Sequence, residues 1–283
     1  MEMGEVATVQ VILLRDVAAK TPKLFGIPSG IPGLDELFYT AEIEEGEIVR
    51  VPLQGLPSAS VIHLAGVPDT GKTLMGQQFA ITQAARGYNV LFVTVEVPAV
   101  FTVQGLKQRC KGLGIEWGKI ENSIYLLDLS HQTELKSSVD ELTTKLGDII
   151  REKNIKACVI DSITGLYEGQ EMVARKLVRR LYEVMKDNYQ TAIFISQKRS
   201  SHEELSSEAA GGYAVSHILD CNIVLAKIVA SRTTASSYGV SPGEVVRTIR
   251  IDGCRMCGHD TRVHILHIDD LGIVKVGKAL SEK

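Results

Sequence analysis

Residues 66–73 read Gly66-Val67-Pro68-Asp69-Thr70-Gly71-Lys72-Thr73. An apolar run at 60–65 precedes this stretch, and an amphipathic pattern at 72–86 follows it. Two glycines at this spacing, between a strand and a helix, let successive backbone N–H groups converge on phosphate oxygens, and the helix N-terminus adds partial positive charge. The stretch therefore predicts a phosphate-binding loop in an α/β protein.

The lysine and the threonine that close this loop have separate predicted roles. Lys72 is expected to reach the β- and γ-phosphates of ATP, and the Thr73 hydroxyl is expected to bind Mg²⁺. Leu74 completes the set of loop residues predicted to contact the nucleotide. Asp69 stands where many such loops have glycine. Asp tolerates left-handed backbone, but we expect its charge to weaken ATP binding or to speed nucleotide release.

Strand and helix patterns alternate after the loop. The predicted strands are 60–65, 89–95, 123–128, 156–161 and 191–196, and the predicted helices between them are 72–86, 101–112, 134–153 and 169–187, with a further short helix at 34–38. Short apolar strands between amphipathic helices are typical of a parallel sheet covered on both faces. Further strands are predicted at 221–228, 244–252, 261–267 and 272–276, without helices between them. We therefore predict an α/β fold with a mostly parallel central sheet and an antiparallel C-terminal extension.

Three polar side chains stand at the ends of predicted strands. Asp161 is expected to hold Mg²⁺ through water, Glu96 to activate the water that attacks ATP, and Gln197 to sense the γ-phosphate. Because ligands bind at the carboxyl edge of a parallel sheet, these residues are expected beside Lys72 as one catalytic set. Each also has a structural alternative: Asp161 and Gln197 as caps, and Glu96 as a solvated strand end.

The overall composition limits the function classes. The chain has 283 residues, a net charge of −3 and 45% hydrophobic residues, which suits one large α/β domain at residues 24–283. No apolar run approaches the ~18 residues of a membrane helix. The N-terminus is acidic where a secretory signal would be basic, so we expect a cytoplasmic protein without a membrane partner.

Residues 1–23 are predicted to form an N-terminal arm. β-Branched residues are frequent in 6–17, which predicts a strand followed by a connector. This strand could pack on a neighbouring subunit or belong to the same domain, and the sequence leaves both alternatives open.

Several segments together resemble the RecA/RadA superfamily of P-loop ATPases. They are Gly30-Ile-Pro-Gly-Leu-Asp35-Glu-Leu37, the phosphate-binding loop, and the strands that end at Glu96, Asp161 and Ser196-Gln197. Within that superfamily, segments 249–260 and 268–274 resemble the closing strands of KaiC-like ATPases. The resemblance spans residues 24–278. It implies a RecA-like fold, ATP and Mg²⁺ as cofactors, and a homo-oligomer, expected to be a hexameric ring.

The resemblance also assigns roles to residues outside the loop. It implies that Glu96 is the catalytic carboxylate and that Arg255 and His259 reach the ATP of the adjacent subunit, with Asp269 and Asp270 near its base or ribose. An arginine supplied in trans stabilises charge on the transferred phosphoryl group and is worth ~10³–10⁵ in rate. Hydrolysis would then depend on assembly.

Four positions depart from the family pattern. Gly253 replaces a usual lysine, Met256 a usual glycine, Val97 a second glutamate, and Asp269 a usual threonine. None of the four removes the phosphate-binding loop, the metal carboxylate or the base. We therefore expect a slow, regulatory ATPase that signals to an unidentified protein partner.

Two of the five cysteines, Cys254 and Cys257, stand close together and near histidines. The spacing with His259 could suit zinc, but His264 and His267 should point to opposite faces of a strand, which disfavours a closed metal site. A redox pair is a second alternative. A free thiol pair on an interface hairpin is the favoured reading.

Two other functions remain open. The chain could be a non-catalytic module in which ATP only stabilises the ring. It could also be a RadA paralogue that contacts DNA through the loop 198–212. The basic residues of that loop are balanced by Glu203, Glu204 and Glu208, so its charge does not favour DNA.

Overall fold

The strands of the protein form three sheets. The computed structural model describes residues 11–167, 171–198 and 217–280. Its strands are β1 (Gly26–Ile27), β2 (Phe38–Glu44), β3 (Glu47–Pro52), β4 (Leu56–Pro57), β5 (Val61–Gly66), β6 (Asn89–Thr94), β7 (Ile124–Asp128), β8 (Ile155–Asp161), β9 (Thr191–Gln197), β10 (Cys221–Val229), β11 (Val245–Cys254), β12 (Gly258–His259), β13 (His264–Ile268) and β14 (Val274–Ala279).

The longer helices connect the strands of the central sheet. The α-helices are α1 (Leu14–Ala18), α2 (Lys72–Ala85), α3 (Ala99–Gly112), α4 (Thr133–Ser137), α5 (Val139–Glu152), α6 (Thr164–Tyr167) and α7 (Glu171–Asp187), followed by a single turn at Ala235–Tyr238. Short 3₁₀ turns lie at Asp35–Leu37 and Trp117–Lys119. None of these helices combines the length and the apolar character that crossing a membrane requires, within the ranges that the structure describes.

The central sheet has nine strands in the order β14-β13-β11-β10-β5-β9-β8-β6-β7. From β10 to β7 all neighbours are parallel, whereas β11, β13 and β14 continue the sheet in antiparallel fashion. This confirms the predicted fold class. One strand was placed wrongly: Cys221–Val229 belongs to the parallel part, because it pairs in parallel with β5, and the antiparallel extension begins only at β11.

The hydrophobic core lies on both faces of this sheet. Along β6, Val90 and Phe92 point to one face and Leu91 and Val93 to the other, and all four side chains are buried. Helices α2 and α3 cover the first face, and α5 and α7 cover the second. Apolar residues at every position of a strand are therefore required here, since neither face meets water.

Two predicted helices differ from the structure. Residues 134–153 form two helices, α4 and α5, because Ser138 has extended backbone and its carbonyl accepts the Leu142 N–H that begins α5. Residues 34–38 form only the short turn Asp35–Leu37, because Phe38 is already extended and begins β2.

The N-terminal segment is the clearest error of the secondary-structure prediction. Within the predicted strand 6–17, the structure describes residues 11–17, and Leu14–Ala18 is a helix without buried residues. Among the residues that the structure describes, no strand pairs with this segment, so β-propensity, which reflects packing on a pleated surface, has no effect there. Residues 1–10 lie outside the described ranges, as does the loop predicted at 198–212 from residue 199 onward.

Candidate functional site

The phosphate-binding loop follows β5 in the middle of the central sheet. Asp69 and Gly71 both have left-handed backbone, with φ of 65° and 96°. Gly66 lies so close to β10 that a Cβ there would be 2.7 Å from the Leu225 carbonyl oxygen. Both glycines of the motif are thus required, one for backbone conformation and one for close approach.

Lys72 begins helix α2 with its side chain folded into the loop. Its Nζ donates a hydrogen bond to the Val67 carbonyl oxygen at 2.8 Å. Burial lowers the pKa of Lys72 to about 8, although the carboxylates of Asp161 and Glu96 act in the opposite direction. The loop therefore holds a desolvated amine beside two anions, in a place that suits an anionic ligand.

Asp161, at the end of β8, lies beside the first turn of α2. The Thr73 hydroxyl lies near enough to its carboxylate to favour the ionised form. Burial raises the pKa of Asp161 to about 6, and the charge of Glu96 adds to this rise, whereas Thr73 and Lys72 oppose it. The neighbouring positive charge is thus too small to offset the burial of the Asp161 carboxylate. A bound divalent cation would supply the missing positive charge.

Glu96 follows β6 and is held by two neighbours. Ser162 Oγ donates to its Oε1 at 2.8 Å, and Gln197 Nε2 donates to its Oε2 at 3.4 Å. A Cβ at position 165 would lie 3.1 Å from Oε1, so Gly165 leaves the space in which this carboxylate sits. The Glu96 side chain is therefore oriented by contacts rather than free in solvent.

The sheet register explains why residues so distant in sequence meet. Thr94 pairs with Asp161, and Gly66 pairs with Gln197, so all these strands end at one level. Strand β9 lies between β5 and β8, which places Gln197 between the phosphate-binding loop and Asp161. The structure thus brings Lys72, Thr73, Glu96, Asp161 and Gln197 together, as the sequence predicts.

These residues surround a cavity of about 310 Å³ at the carboxyl edge of the sheet. Its lining includes residues that sequence reasoning missed, namely Gln77, Phe92, Thr94, Phe101, Thr102, Ser162 and Ile195. Ser162 could have been found, because it directly follows Asp161 at a strand end. The others carry no local signal, since they belong to α2, β6, α3 and β9 and line one cavity only because these elements pack together.

Asp69 is held by two basic residues from the far end of the chain. Arg247 donates from Nη2 to Asp69 Oδ2 at 2.9 Å and from Nε to the Asp69 carbonyl oxygen at 2.9 Å. Lys227, its cross-strand partner, donates to the same Oδ2 at 3.3 Å. Burial slightly opposes ionisation, but Arg247 and Lys227 together lower the pKa of Asp69. The loop charge is therefore compensated within the chain.

The donor set fits Mg²⁺-ATP. Among the described residues, no side chain caps the N-terminus of α2, so the first N–H groups of that helix are available to phosphate oxygens. The Thr73 hydroxyl and the Asp161 carboxylate are oxygen donors of the kind that Mg²⁺ prefers. The same edge thus offers cationic and N–H groups for the phosphates and oxygen ligands for a metal.

Arg255 lies at the other edge of the central sheet from this cavity, and His259 lies outside that sheet. Cys254, just before Arg255, pairs with Cys221, which pairs with Ile62 near the start of β5. Four residues of strand, ~13 Å, separate that level from Gly66. The Arg255 guanidinium donates to the carbonyl oxygen of His217 instead. His259 lies in β12, which belongs to the separate three-stranded sheet β12-β2-β3.

The remaining predicted contacts have structural roles of their own. Asp269 Oδ1 accepts the backbone N–H groups of Leu271 at 3.0 Å and Ile273 at 2.9 Å, so its carboxylate closes the turn before β14. Asp270 is exposed in that turn. Leu74 packs against the core below the loop. None of these three lines the cavity.

Cys254 and Cys257 are half-buried, with their sulfur atoms 3.7 Å apart. Within the described ranges, no group of three or more His, Cys, Asp and Glu side chains is arranged to hold a metal ion. The two histidines that follow point apart as expected, since His264 is buried and His267 is exposed. The described residues therefore give no support to a zinc site at the turn between β11 and β12.

Comparisons with known proteins agree with this geometry. The model of the KaiC ATPase family matches residues 27–281. A UPF0273 protein of Pyrococcus horikoshii is 27% identical, over 88% of this chain and 92% of its own length, and one of Thermotoga maritima is 25% identical, over 88% and 94%. The crystal structure of a KaiC-like protein from P. horikoshii matches with a TM-score of 0.68 at 22% identity, covering 90% of this chain and all of that one.

Proposed function

The chain belongs to the KaiC ATPase family, and on that premise we propose that it binds Mg²⁺-ATP at the phosphate-binding loop and hydrolyses it slowly at the subunit interfaces of a homo-oligomeric ring. The observation that carries the proposal is the meeting of Glu96, Asp161 and Gln197 with Lys72 and Thr73 around one cavity. A site that only held ATP would not need an oriented carboxylate opposite the loop.

Each residue has a defined part in this reaction. Lys72 and the N–H groups of the loop bind the phosphates, and Thr73 and Asp161 would hold Mg²⁺. When bound, Mg²⁺ supplies positive charge that offsets the charge developing on the phosphoryl oxygens. Glu96, held by Ser162 and Gln197, accepts a proton from the attacking water. Gln197 has its amide between the loop and Asp161, where it can donate to the γ-phosphate.

The arrangement favours slow turnover that depends on assembly. Arg255 lies on the opposite sheet edge from its own loop, so it can act only on a neighbouring subunit's ATP. Gly253, two residues before it, contributes no cation. A ring of this kind would change state on binding and hydrolysing ATP, and we propose that a partner protein reads that state. Its six-fold order and cytoplasmic location are parts of the same proposal.

The test is phosphate release by purified protein with Mg²⁺-ATP. Lys72→Ala should reduce release to background, because the loop loses its phosphate ligand. Glu96→Gln should keep ATP binding while lowering release by ~10²–10⁴. Glu121→Gln, an exposed glutamate away from the cavity, is the matched control and should behave as the parent. If Glu96→Gln releases phosphate as fast as the parent, ATP serves assembly only and the enzyme proposal fails.

A further inference from the structure

Three cysteines that ATP binding does not use lie together around the turn between β11 and β12. Cys221 pairs directly with Cys254 across β10 and β11, and Cys257 lies three residues after Cys254. The Cys254 and Cys257 sulfurs are 3.7 Å apart. The S–S bond of a disulfide is ~2.05 Å long. A change of side-chain rotamers at Cys254 and Cys257, which lie on the same segment, would bring their sulfurs to this distance.

The surroundings favour the thiolate form of one of these thiols. Hydrogen bonds from Cys221 and then from Cys257 lower the pKa of Cys254, and the backbone N–H groups of Met256 and Cys257 act in the same direction. The thiolate is the form that attacks disulfides. By contrast, burial raises the pKa of Cys158 to about 12, and that thiol stays protonated in the core.

A second observation points to a ligand beside Cys257, the neighbour of Cys254. Cys257 lines an open cavity of about 450 Å³, together with Tyr39, Arg50 and His259. The Arg50 guanidinium stacks on the Tyr39 ring, 4.1 Å from its centroid, which leaves a cation at the wall of the cavity. A small disulfide that carries carboxylates, such as a peptide disulfide, fits this combination of charge and space.

We propose that Cys254 and Cys257 form a reversible dithiol–disulfide site that exchanges with low-molecular-weight disulfides. The Cys254 thiolate attacks one sulfur of the small disulfide, forms a mixed disulfide and releases one thiolate. That thiolate takes the proton of Cys257. Cys257 then attacks the Cys254 sulfur and expels the second thiolate. The protein loses two electrons, and the small disulfide leaves as one thiol and one thiolate, which takes a proton from water.

The second step follows from the first for an electrostatic reason. The hydrogen bond to Cys254 is the largest cause that raises the pKa of Cys257. Once Cys254 is in a mixed disulfide it no longer carries charge, so this effect ends and Cys257 ionises more readily. The ring closed in this way contains Arg255, so oxidation would constrain the turn that carries this arginine.

The experiment maps disulfides in the full-length protein after treatment with glutathione disulfide. Free thiols are alkylated, and the chain is digested with trypsin, which cuts after Arg250, Arg255 and Arg262. Peptides 251–255 and 256–262 each contain one cysteine of the pair. We expect them as one linked species that separates on reduction. This readout does not involve ATP, so it is independent of whether the chain is an ATPase.

Three variants sharpen the result. Cys257→Ser should stop the reaction at the mixed disulfide on Cys254, and Cys254→Ser should abolish the reaction of this cysteine pair. Cys110→Ser changes a buried cysteine in α3 and is the control. It should leave the linked species unchanged. Full alkylation of all five cysteines after treatment would overturn the proposal. So would a link from 251–255 to the peptide 200–227, which contains Cys221.

Discussion

The charge of Asp69 is a residue-scale feature whose meaning changes with the structure. From sequence, an aspartate among phosphate ligands suggests repulsion. In the fold, Arg247 and Lys227 both contact its carboxylate. The three side chains together carry one net positive charge beside the loop. Asp69 therefore weakens the electrostatic attraction of the loop for phosphate but does not turn it into repulsion.

Asp69→Asn should therefore strengthen ATP binding. The substitution leaves both basic residues uncompensated near the phosphates, and exposed charges contribute about 1 kcal/mol at most, so we expect a roughly fivefold lower Kd. The gain should shrink as salt rises. Titration of a fluorescent ATP analogue at two ionic strengths measures it. Asp252→Asn, which breaks the ion pair with Arg250 on the same strand, is the control. An unchanged or higher Kd would contradict this account.

His63 is a second residue whose role comes from its surroundings. It is fully buried in β5, with Nδ1 3.1 Å from Asn222 Oδ1 and Nε2 2.6 Å from Ser196 Oγ. Burial lowers the pKa of His63 to about 4, against a weaker opposing effect of Asn222. The ring is thus neutral in the folded protein at pH 7. Through its contact with Ser196 it links β5, which precedes the loop, to β9, which carries Gln197.

This burial makes stability depend on pH. Between the unfolded pKa of 6.5 and the folded value of about 4, the unfolded chain binds a proton that the folded chain does not. The free energy of unfolding should therefore fall as pH drops through this window, by about 3 kcal/mol in total. Urea titrations at pH 7 and pH 4.5 measure the fall. In His63→Gln the free energy of unfolding should fall less between these two pH values. An equal fall in the parent and the variant would exclude His63 as its source.

At the element scale, a buried carboxylate joins helix α7 to the central sheet. Asp220 accepts hydrogen bonds from the Val61 N–H at 2.8 Å, the Tyr182 hydroxyl at 2.9 Å and Lys186 Nζ at 3.0 Å. Lys186 also donates to the Ala59 carbonyl oxygen at 2.7 Å. These contacts fix the beginning of β5, the strand that delivers the phosphate-binding loop.

Lys186→Met should destabilise the fold although its side chain is partly exposed. It leaves the buried charge of Asp220 without its cation, for a cost of about 2–3 kcal/mol in the free energy of unfolding. Chemical denaturation measures the change. Lys176→Met, at an exposed position of the same helix, should be neutral within about 0.5 kcal/mol. Equal stability of the two variants would show that the Asp220 network contributes little.

At the scale of the whole molecule, the sheet separates the two halves of the proposed active site. The loop and Glu96 lie at the carboxyl edge, and Arg255 lies at the amino edge. A single chain cannot bring these together without breaking β5. In the proposed function, Arg255 of a second chain therefore completes the site, and we propose that activity depends on assembly.

Mixing subunits tests this directly. Arg255→Ala and Glu96→Gln subunits should each be nearly inactive alone. When they are co-assembled, an interface that combines the intact Glu96 of one with the intact Arg255 of the other is complete, so part of the phosphate release should return. A mixture of Glu96→Gln with the double variant is the control and should stay inactive. If the first mixture gives no more than the sum of its parts, Arg255 does not act in trans.

The sequence alone determined the phosphate-binding loop and the candidate residues at strand ends. The loop needs only eight consecutive residues, and the backbone conformation that binds phosphate is local. Alternating apolar strands and amphipathic helices likewise predicted the parallel sheet, since burial on both faces leaves a pattern within each strand. These signals are short-range and can be read in order along the chain.

Only the tertiary structure decided what surrounds the loop. The contacts of Arg247 and Lys227 with Asp69, and the position of Arg255 at the opposite edge, depend on the pairing of β5, β10 and β11. Asp69 is more than 150 residues away in sequence from both Lys227 and Arg247. The register of their strands follows from packing of the whole sheet rather than from any local motif. The pairing of β10 with β11 likewise places Cys254 and Cys257 beside the buried Cys221.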